Sequence, residues 1–85
     1  MTAKLSSLPL RRILLAEDDD SMRGFLVKAL EKAHYDVVAF ENGEDAYERL
    51  KREPFSLLLT DIVMPKMNGI DLARRASEID PDLKI

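Results

Sequence analysis

The chain has 85 residues, of which 46% are hydrophobic and 34% charged, with a formal net charge of -3. This length allows one domain, and an acidic balance without a cluster of lysines and arginines on one face argues against nucleic acid as a direct partner. The absence of cysteine excludes disulfides and thiolate metal sites, and we find neither the apolar stretch of a signal peptide nor a run of bilayer-spanning length. We therefore expect a cytoplasmic protein without a direct nucleic-acid or membrane partner.

The apolar residues alternate between strand-like and helix-like patterns along the chain. After a polar N-terminal tail at residues 1–10, the apolar run at residues 13–16 is typical of a strand buried on both faces. Asp19 and Asp20 offer carboxylates that can cap a first helix. Apolar residues recur along that helix at steps of three and four, which indicates an amphipathic helix. They are Met22, Phe25, Leu26, Ala29, Leu30 and Ala33.

The remaining residues repeat the alternation. Residues 37–40 predict a second strand, residues 41–43 a turn, and residues 56–60 a third strand. The helix between them is expected to stop at Pro54, and a third helix is expected to begin at Gly69. The inward residues are predicted to be Ala46, Tyr47 and Leu50 in the second helix and Ile70, Ala73 and Ala76 in the third.

Residues 83–85 look like the start of a fourth strand, so the order of elements is β-α-β-α-β-α-β. Strands joined by helices pair in parallel through right-handed crossovers, which predicts an α/β fold with a doubly wound parallel sheet. In such sheets a ligand binds at the carboxyl ends of the strands, where the strand order reverses. Strands one and three end in acids, whereas strand two ends in Phe40-Glu41-Asn42 without a comparable junction from apolar residues to acids, so we expect the spatial order 2-1-3-4.

Three acids follow these two strands. Glu17 and Asp18 come directly after the first apolar run, and Asp61 comes after the third strand. If the strands are parallel neighbours, the three carboxylates meet at one edge of the sheet. Carboxylates so close together repel one another, so the arrangement makes chemical sense mainly around a hard divalent cation, and we predict Mg²⁺. Asp19 and Asp20 are expected only to stabilise the helix N-terminus.

The residues around these acids resemble the receiver domain of two-component response regulators, which has the CheY-like fold. Residues 61–69 (DIVMPKMNG) match the family pattern of a phosphoacceptor aspartate followed at fixed offsets by Met-Pro, Met and Gly, and residues 16–23 match its acidic pocket. The resemblance covers residues 11–85 and implies a flavodoxin-like sheet of order 2-1-3-4-5. Residues 25–30 and 53–76 are similar, more narrowly, to the single-domain cell-cycle receivers of the CpdR type.

The resemblance implies that Asp61 is the phosphoacceptor, that Asp18 binds Mg²⁺ directly, and that Glu17 binds it through water. The backbone carbonyl of Val63 would complete the protein's share of the ligands. The implied phosphodonor is a histidine kinase or histidine phosphotransferase, and the implied output is a phosphorylation-dependent protein contact with a protease or its adaptor. Such a protein catalyses only its own phosphorylation and dephosphorylation and is not a conventional enzyme.

Other interpretations stay open. A Mg²⁺-dependent phosphohydrolase or nuclease could use the same acids, although phosphatases of the haloacid-dehalogenase type have a second acid where this chain has Val63. A binding-only receiver is disfavoured because the acids are intact. His34 is expected to be a surface residue at a helix end where the family often has glycine. Met64 and Met67 are expected to pack the loop. Lys66 is either a surface charge or a docking residue.

The main departure from the family is length. A complete receiver carries a Ser or Thr after its fourth strand and a Lys after its fifth, and both contact the phosphoryl group; neither can be assigned to a position up to Ile85. We expect a fragment or a short natural product that forms a homodimer or higher assembly, or else a marginally stable monomer. The poorly buried residues at its outer edge are predicted to be Leu57, Leu59, Leu83 and Ile85.

Overall fold

The computed structural model describes residues 11–85, and the predicted tail at residues 1–10 lies outside the described residues. This part of the chain forms one parallel sheet of three strands, β1 (Arg12–Ala16), β2 (Asp36–Phe40) and β3 (Leu57–Thr60). The helices are α1 (Asp20–Lys32), α2 (Gly43–Leu50) and α3 (Gly69–Ile79). The predicted α/β fold is confirmed. None of these three helices is both long and apolar enough to cross a bilayer.

The strand order is β2-β1-β3, as predicted. β1 lies between its neighbours, and Ala16 is opposite Phe40 on one side and Thr60 on the other. Because the strands are parallel and in register, the residues that follow Ala16 and Thr60 leave the sheet at the same edge. This register brings Glu17 and Asp61 to one end of the sheet.

The predicted fourth strand makes its first contact with β3. Lys84 forms a parallel bridge with Leu57, and the N–H of Leu58 donates to the carbonyl of Lys84 at 2.8 Å. The segment therefore lies on the outer side of β3, as the order 2-1-3-4 requires. The expected exposure of this edge was wrong for Leu83, which is buried because its side chain joins the main core. Leu57 is half-buried, and Leu59 and Ile85 are exposed.

The main core lies between one face of the sheet and the helices α2 and α3. Leu14 of β1 and Leu58 of β3 are fully buried in it. The helices contribute Ala46, Leu50, Leu72 and Ala76. The prediction that Ile70 points inward was wrong, and Ile70 is exposed. The inner side of α3 runs through Leu72, and a residue two positions away lies about 200° around the helix.

Helix α1 forms where it was predicted, but its apolar side is only partly covered. The carboxylate of Asp19 accepts from the N–H of Met22 at 2.7 Å, which confirms Asp19 as the N-cap. The helix packs mainly on β2, and none of its residues 20–32 is buried. Leu26 and Leu30 are half-buried, whereas Phe25 is exposed. The pattern identified the helix correctly but did not determine how much sheet lies beneath it.

The turn after α1 uses a left-handed backbone conformation. His34 has a φ of 72°, and it is exposed at the helix end as predicted. The guanidinium of Arg11 donates to the carbonyls of Ala33 at 3.1 Å and His34 at 3.3 Å, and it lies 4.5 Å from the centroid of the Tyr35 ring. A cation thus stabilises the carbonyl end of the helix.

A partly shielded group of charges lies at the amino end of the sheet and connects its strands. Arg12, the first residue of β1, pairs with Asp36 of β2 at 3.3 Å and with Glu53 ahead of β3 at 2.6 Å. Its guanidinium also lies 5.0 Å from the centroid of the Phe55 ring. The Arg12 and Glu53 side chains are 28% and 31% exposed, so water screens their pairing only in part. One side chain therefore connects the starts of all three strands.

We predict that Arg12→Met lowers the free energy of unfolding by about 2 kcal/mol, because the partly buried carboxylate of Glu53 would lose its nearer cation, at 2.6 Å, and keep only Arg49, at 3.6 Å. Urea unfolding followed by circular dichroism measures the change. Arg74→Met is the matched control, since Arg74 pairs with Asp71 at 2.9 Å but is 67% exposed, and it should change stability by less than about 0.5 kcal/mol. Equal losses in the two variants would contradict the assigned role of Arg12.

Candidate functional site

The three acids predicted to form the metal site lie together at the carboxyl edge of the sheet. One carboxylate oxygen of each of Glu17, Asp18 and Asp61 lies within 4.8 Å of the others. Glu17 and Asp61 are half-buried, and Asp18 is exposed. The group is therefore open to solvent on the side of Asp18, from which a ligand can enter.

The spacing and chemistry of these acids are suited to one magnesium ion with part of its shell supplied by water. Mg²⁺ takes oxygen ligands at about 2.0–2.1 Å in an octahedron, so ligands on opposite sides are about 4.1 Å apart. Oxygens that spread over as much as 4.8 Å match this geometry when one acid reaches the ion through water. The resemblance to receiver domains implies that Glu17 is the acid that binds the ion through water. A set of carboxylate oxygens favours a hard cation over a soft one.

The β1–α1 loop, which carries two of the acids, is held on both sides of Asp18. The N–H of Glu17 donates to the carbonyl of Phe40 at 3.0 Å and so continues the pairing of β1 with β2. Oε2 of Glu17 accepts from the N–H of Asp19 at 3.1 Å. Asp19 is itself fixed as the cap of α1. The loop thus has a defined shape although most of it is exposed.

Arg23 is a further contact to this loop that the sequence reasoning missed. Its Nη1 donates to the backbone carbonyl of Glu17 at 3.0 Å, and its Nη2 lies 2.6 Å from Oδ1 of Asp20. The spacing of three residues between Asp20 and Arg23 was a signal for their ion pair. The contact with Glu17 depends on how the helix meets the strand, and no local pattern reveals it.

Asp61 is held through its backbone and through one of its carboxylate oxygens. Its N–H donates to the carbonyl of Ala16 at 2.9 Å, and its Oδ1 accepts from the N–H of Ile62 at 2.8 Å. The hydroxyl of Thr60 donates to the carbonyl of Asp61 at 2.8 Å. The other carboxylate oxygen, Oδ2, has no hydrogen-bond donor among residues 11–85. The side chain therefore has a fixed orientation and an oxygen that remains available.

The loop after Asp61 turns back so closely that only glycine is accommodated at its end. The N–H of Gly69 donates to the carbonyl of Ile62 at 2.7 Å, and a Cβ at position 69 would collide with the carbonyl of Asp61. Gly43 has the same relation to the carbonyl of Met67. The sequence predicted Gly69 as the start of a helix. The reason that glycine is needed there, a close approach of two backbone segments, appears only in the folded chain.

Several other loop residues can be compared with their predictions. Met64 is buried and Met67 is half-buried against the core, which confirms that both pack the loop. Lys66 is exposed and has a φ of 70°, an uncommon value for a residue other than glycine. Val63 is exposed two residues after Asp61, and the role of its carbonyl stays a prediction.

Fold and site together define a doubly wound α/β domain with an acidic group at the point where the strand order reverses. The sequence matches the family described as "Response regulator receiver domain" over residues 13–85. The chain belongs to this family. Receiver domains are signalling domains and not classical enzymes.

Two curated relatives illustrate the similarity. The chain is 76% identical over 76 residues to the response regulator receiver protein CpdR of Brucella abortus, a match that covers 89% of this chain and 63% of that protein. It is 38% identical over 76 residues to the chemotaxis protein CheY of Thermotoga maritima, covering 88% of this chain and 63% of that protein. The chain thus spans a little under two thirds of the length of these two relatives.

Solved structures agree on the fold. The receiver domain of the hybrid histidine kinase CckA aligns with a TM-score of 0.76 at 30% identity, covering 81% of this chain and 66% of that chain. A CheY-like receiver domain protein from Methanospirillum hungatei aligns with a TM-score of 0.81 at 30% identity, covering 86% and 58% of the two chains. The predicted CheY-like fold is confirmed.

We predict that Gly69→Ala lowers the free energy of unfolding by about 1–3 kcal/mol, because the new methyl group forces the Asp61 carbonyl away. Gly24→Ala is the matched control. Nothing lies within 4 Å of a Cβ at position 24, and alanine within α1 should raise stability by about 0.5–1 kcal/mol. Urea unfolding of the two variants should give changes of opposite sign, and a shared sign would contradict the close approach at Gly69.

Proposed function

We propose that this chain is the phosphoacceptor receiver of a two-component phosphorelay, in which residues 11–85 form the receiver and Asp61 is phosphorylated. The observation that carries the proposal is the group of acids at the sheet edge, with one oxygen each from Glu17, Asp18 and Asp61 within 4.8 Å of one another. Membership of the receiver family supports the same assignment.

In the proposed reaction, a carboxylate oxygen of Asp61 attacks the phosphorus atom of a phosphohistidine. The new P–O bond forms as the P–N bond breaks, and the leaving imidazole nitrogen keeps the electron pair. Because Ala16 and Ile62 hold Asp61 through hydrogen bonds, its side chain needs little reorganisation before attack. Positioning of this kind is a large part of what a protein contributes to phosphoryl transfer.

The proposed ligands of Mg²⁺ are Asp18 directly, Glu17 through water, Asp61, and the backbone carbonyl of Val63. When bound, the ion supplies positive charge for the phosphoryl oxygens. The exposed side chain of Asp18 leaves an approach open to the phosphodonor. Glu17 is turned toward its own loop by the N–H of Asp19, which supports an indirect role for its carboxylate.

Signalling is proposed to follow from phosphorylation-dependent contact with another protein. The donor would be a histidine kinase or histidine phosphotransferase, and the output partner a protease or its adaptor in cell-cycle control. The identity of 76% to CpdR of Brucella abortus supports a CpdR-type role, although the chain spans 63% of that protein. A homodimer or higher assembly, a cytoplasmic location, and the lack of direct nucleic-acid or membrane partners stay predictions from the sequence.

We predict that Mg²⁺ raises the thermal stability of the chain. An ion that binds only the folded state adds about 1.4 kcal/mol when its free concentration is ten times the Kd. Asp18→Asn should remove most of this response and should raise the melting temperature without metal, because one repelling charge is lost. Thermal melts at increasing Mg²⁺ test both expectations.

Asp82→Asn is the matched control for that experiment, because it changes the same charge in the turn after α3. Lys84, two residues later, pairs with Leu57 at the start of β3, and the acids lie at the opposite end of the sheet. It should keep the full response to Mg²⁺. A wild-type melt that ignores millimolar Mg²⁺, or an equal response in Asp18→Asn, would remove the metal site from the proposal.

We predict that Asp61 is phosphorylated by acetyl phosphate in a Mg²⁺-dependent reaction and that Asp61→Asn is not. Intact-mass spectrometry and borohydride trapping identify the product and its position. Asp19→Asn should retain most of the reaction, because asparagine also caps a helix. Label on His34 or on a serine would contradict the assignment, and multiple-turnover hydrolysis of a phosphate monoester would indicate a phosphohydrolase instead.

A further inference from the structure

The exposed Asp18 owes its position to its neighbours. It makes no hydrogen bond to another of the residues 11–85, whereas Glu17 and Asp19 on either side of it are both anchored. Two contacts hold the backbone of Glu17, its N–H to the carbonyl of Phe40 and its own carbonyl to Arg23. The first belongs to the sheet and persists whenever β1 and β2 pair. The second contact, from Arg23 to the Glu17 carbonyl, is made by a side chain and can be removed by substitution.

Arg23 connects the end of β1 to the first turn of α1 across the loop. Its guanidinium donates to the carbonyl of Glu17 at 3.0 Å and to Asp20 at 2.6 Å. The Arg23 side chain is 23% exposed, so the group lies against the protein and does not extend into solvent. A guanidinium presents its N–H groups in a rigid planar fork, which suits it to hold two acceptors at a fixed separation.

We propose that Arg23 is a positioning residue of the acid site, which sets the place of Glu17 and Asp18 through the Glu17 carbonyl. This inference rests on the proposed function of Glu17, Asp18 and Asp61 as a Mg²⁺ site. Arg23 itself does not bind the ion. Groups that orient metal ligands in this way commonly change metal affinity by roughly 10–100-fold when they are removed.

Removal of Arg23 has two effects of opposite sign on Mg²⁺ binding. Loss of a positive charge close to three carboxylates strengthens the binding of a cation. Loss of the anchor allows the loop to move and weakens binding. A weaker affinity in Arg23→Gln therefore reports positioning, because the change in charge alone would produce the reverse.

Isothermal titration of the full chain with Mg²⁺ tests the proposal. We expect Arg23→Gln to bind roughly tenfold more weakly than the wild type. Arg23→Lys should lie between the two, because an ammonium group can donate to the Glu17 carbonyl but lacks the rigid fork. Arg74→Gln is the control, since it removes the same charge and an ion pair of the same i,i+3 spacing on α3, and it should not weaken binding.

A kinetic measurement separates positioning from general damage. In Arg23→Gln, the Mg²⁺ concentration for half-maximal phosphorylation of Asp61 should rise, while the rate at saturating Mg²⁺ stays close to that of the wild type. Arg23→Lys provides the same comparison if Arg23→Gln does not fold. Binding by Arg23→Gln that equals or exceeds wild type, or a loss of the same size in Arg74→Gln, would overturn the proposal. Failure of the metal site itself is distinguishable, because wild type and Asp18→Asn would then bind Mg²⁺ equally poorly.

Discussion

The parallel register of β1 between β2 and β3 determines both the core and the acid site. Ala16 lies opposite Phe40 and Thr60, so the chain leaves the sheet at the same level after β1 and β3. A slip of one residue would turn Leu14 or Leu58 out of the core, because successive side chains of a strand point to opposite faces. The same slip would separate Asp61 from Glu17. The packing that stabilises the fold therefore also enforces the meeting of the carboxylates.

A comparison of the free energy of apolar burial with the repulsion between carboxylates explains how the fold tolerates three acids close together. Burial of a leucine or isoleucine side chain contributes about 1.5–3 kcal/mol, and the fully buried side chains of β1 and β3 include Ile13, Leu14, Leu15 and Leu58. Two unit charges about 4 Å apart repel by about 1 kcal/mol in water and about 4 kcal/mol near a protein surface. Three acids form three such pairs, and the exposure of Asp18 to water keeps their repulsion nearer the lower figure, which the burial of two or three of these side chains offsets. The sheet can hold the three acids together before any cation arrives, so the cation does not have to assemble the site.

The sequence predicted the parts of this structure that depend on local patterns. Apolar runs followed by acids identified β1, β3 and the edge where Glu17, Asp18 and Asp61 meet, and Asp19 was recognisable as a cap. The inner side of α3 was predicted wrongly at Ile70, because Gly69 must lie against the Asp61 carbonyl and that contact sets the rotation of the helix. The burial of Leu83 was missed because its neighbours in the core come from distant segments, which a periodicity along one segment does not describe. The contact of Arg23 with Glu17 spans only six residues, and it was missed because it depends on the angle at which α1 follows β1.

The two halves of the site are held by different means, and the difference suits their proposed roles. Asp61 is fixed by backbone hydrogen bonds and by a glycine contact that leaves no space for adjustment. A nucleophile benefits from this rigidity, since a small displacement of reacting atoms costs much of the rate. Asp18 lies on an exposed loop that one guanidinium ties to the helix. A ligand of a cation that keeps several waters needs access to solvent, and a side-chain anchor provides order without closing the site.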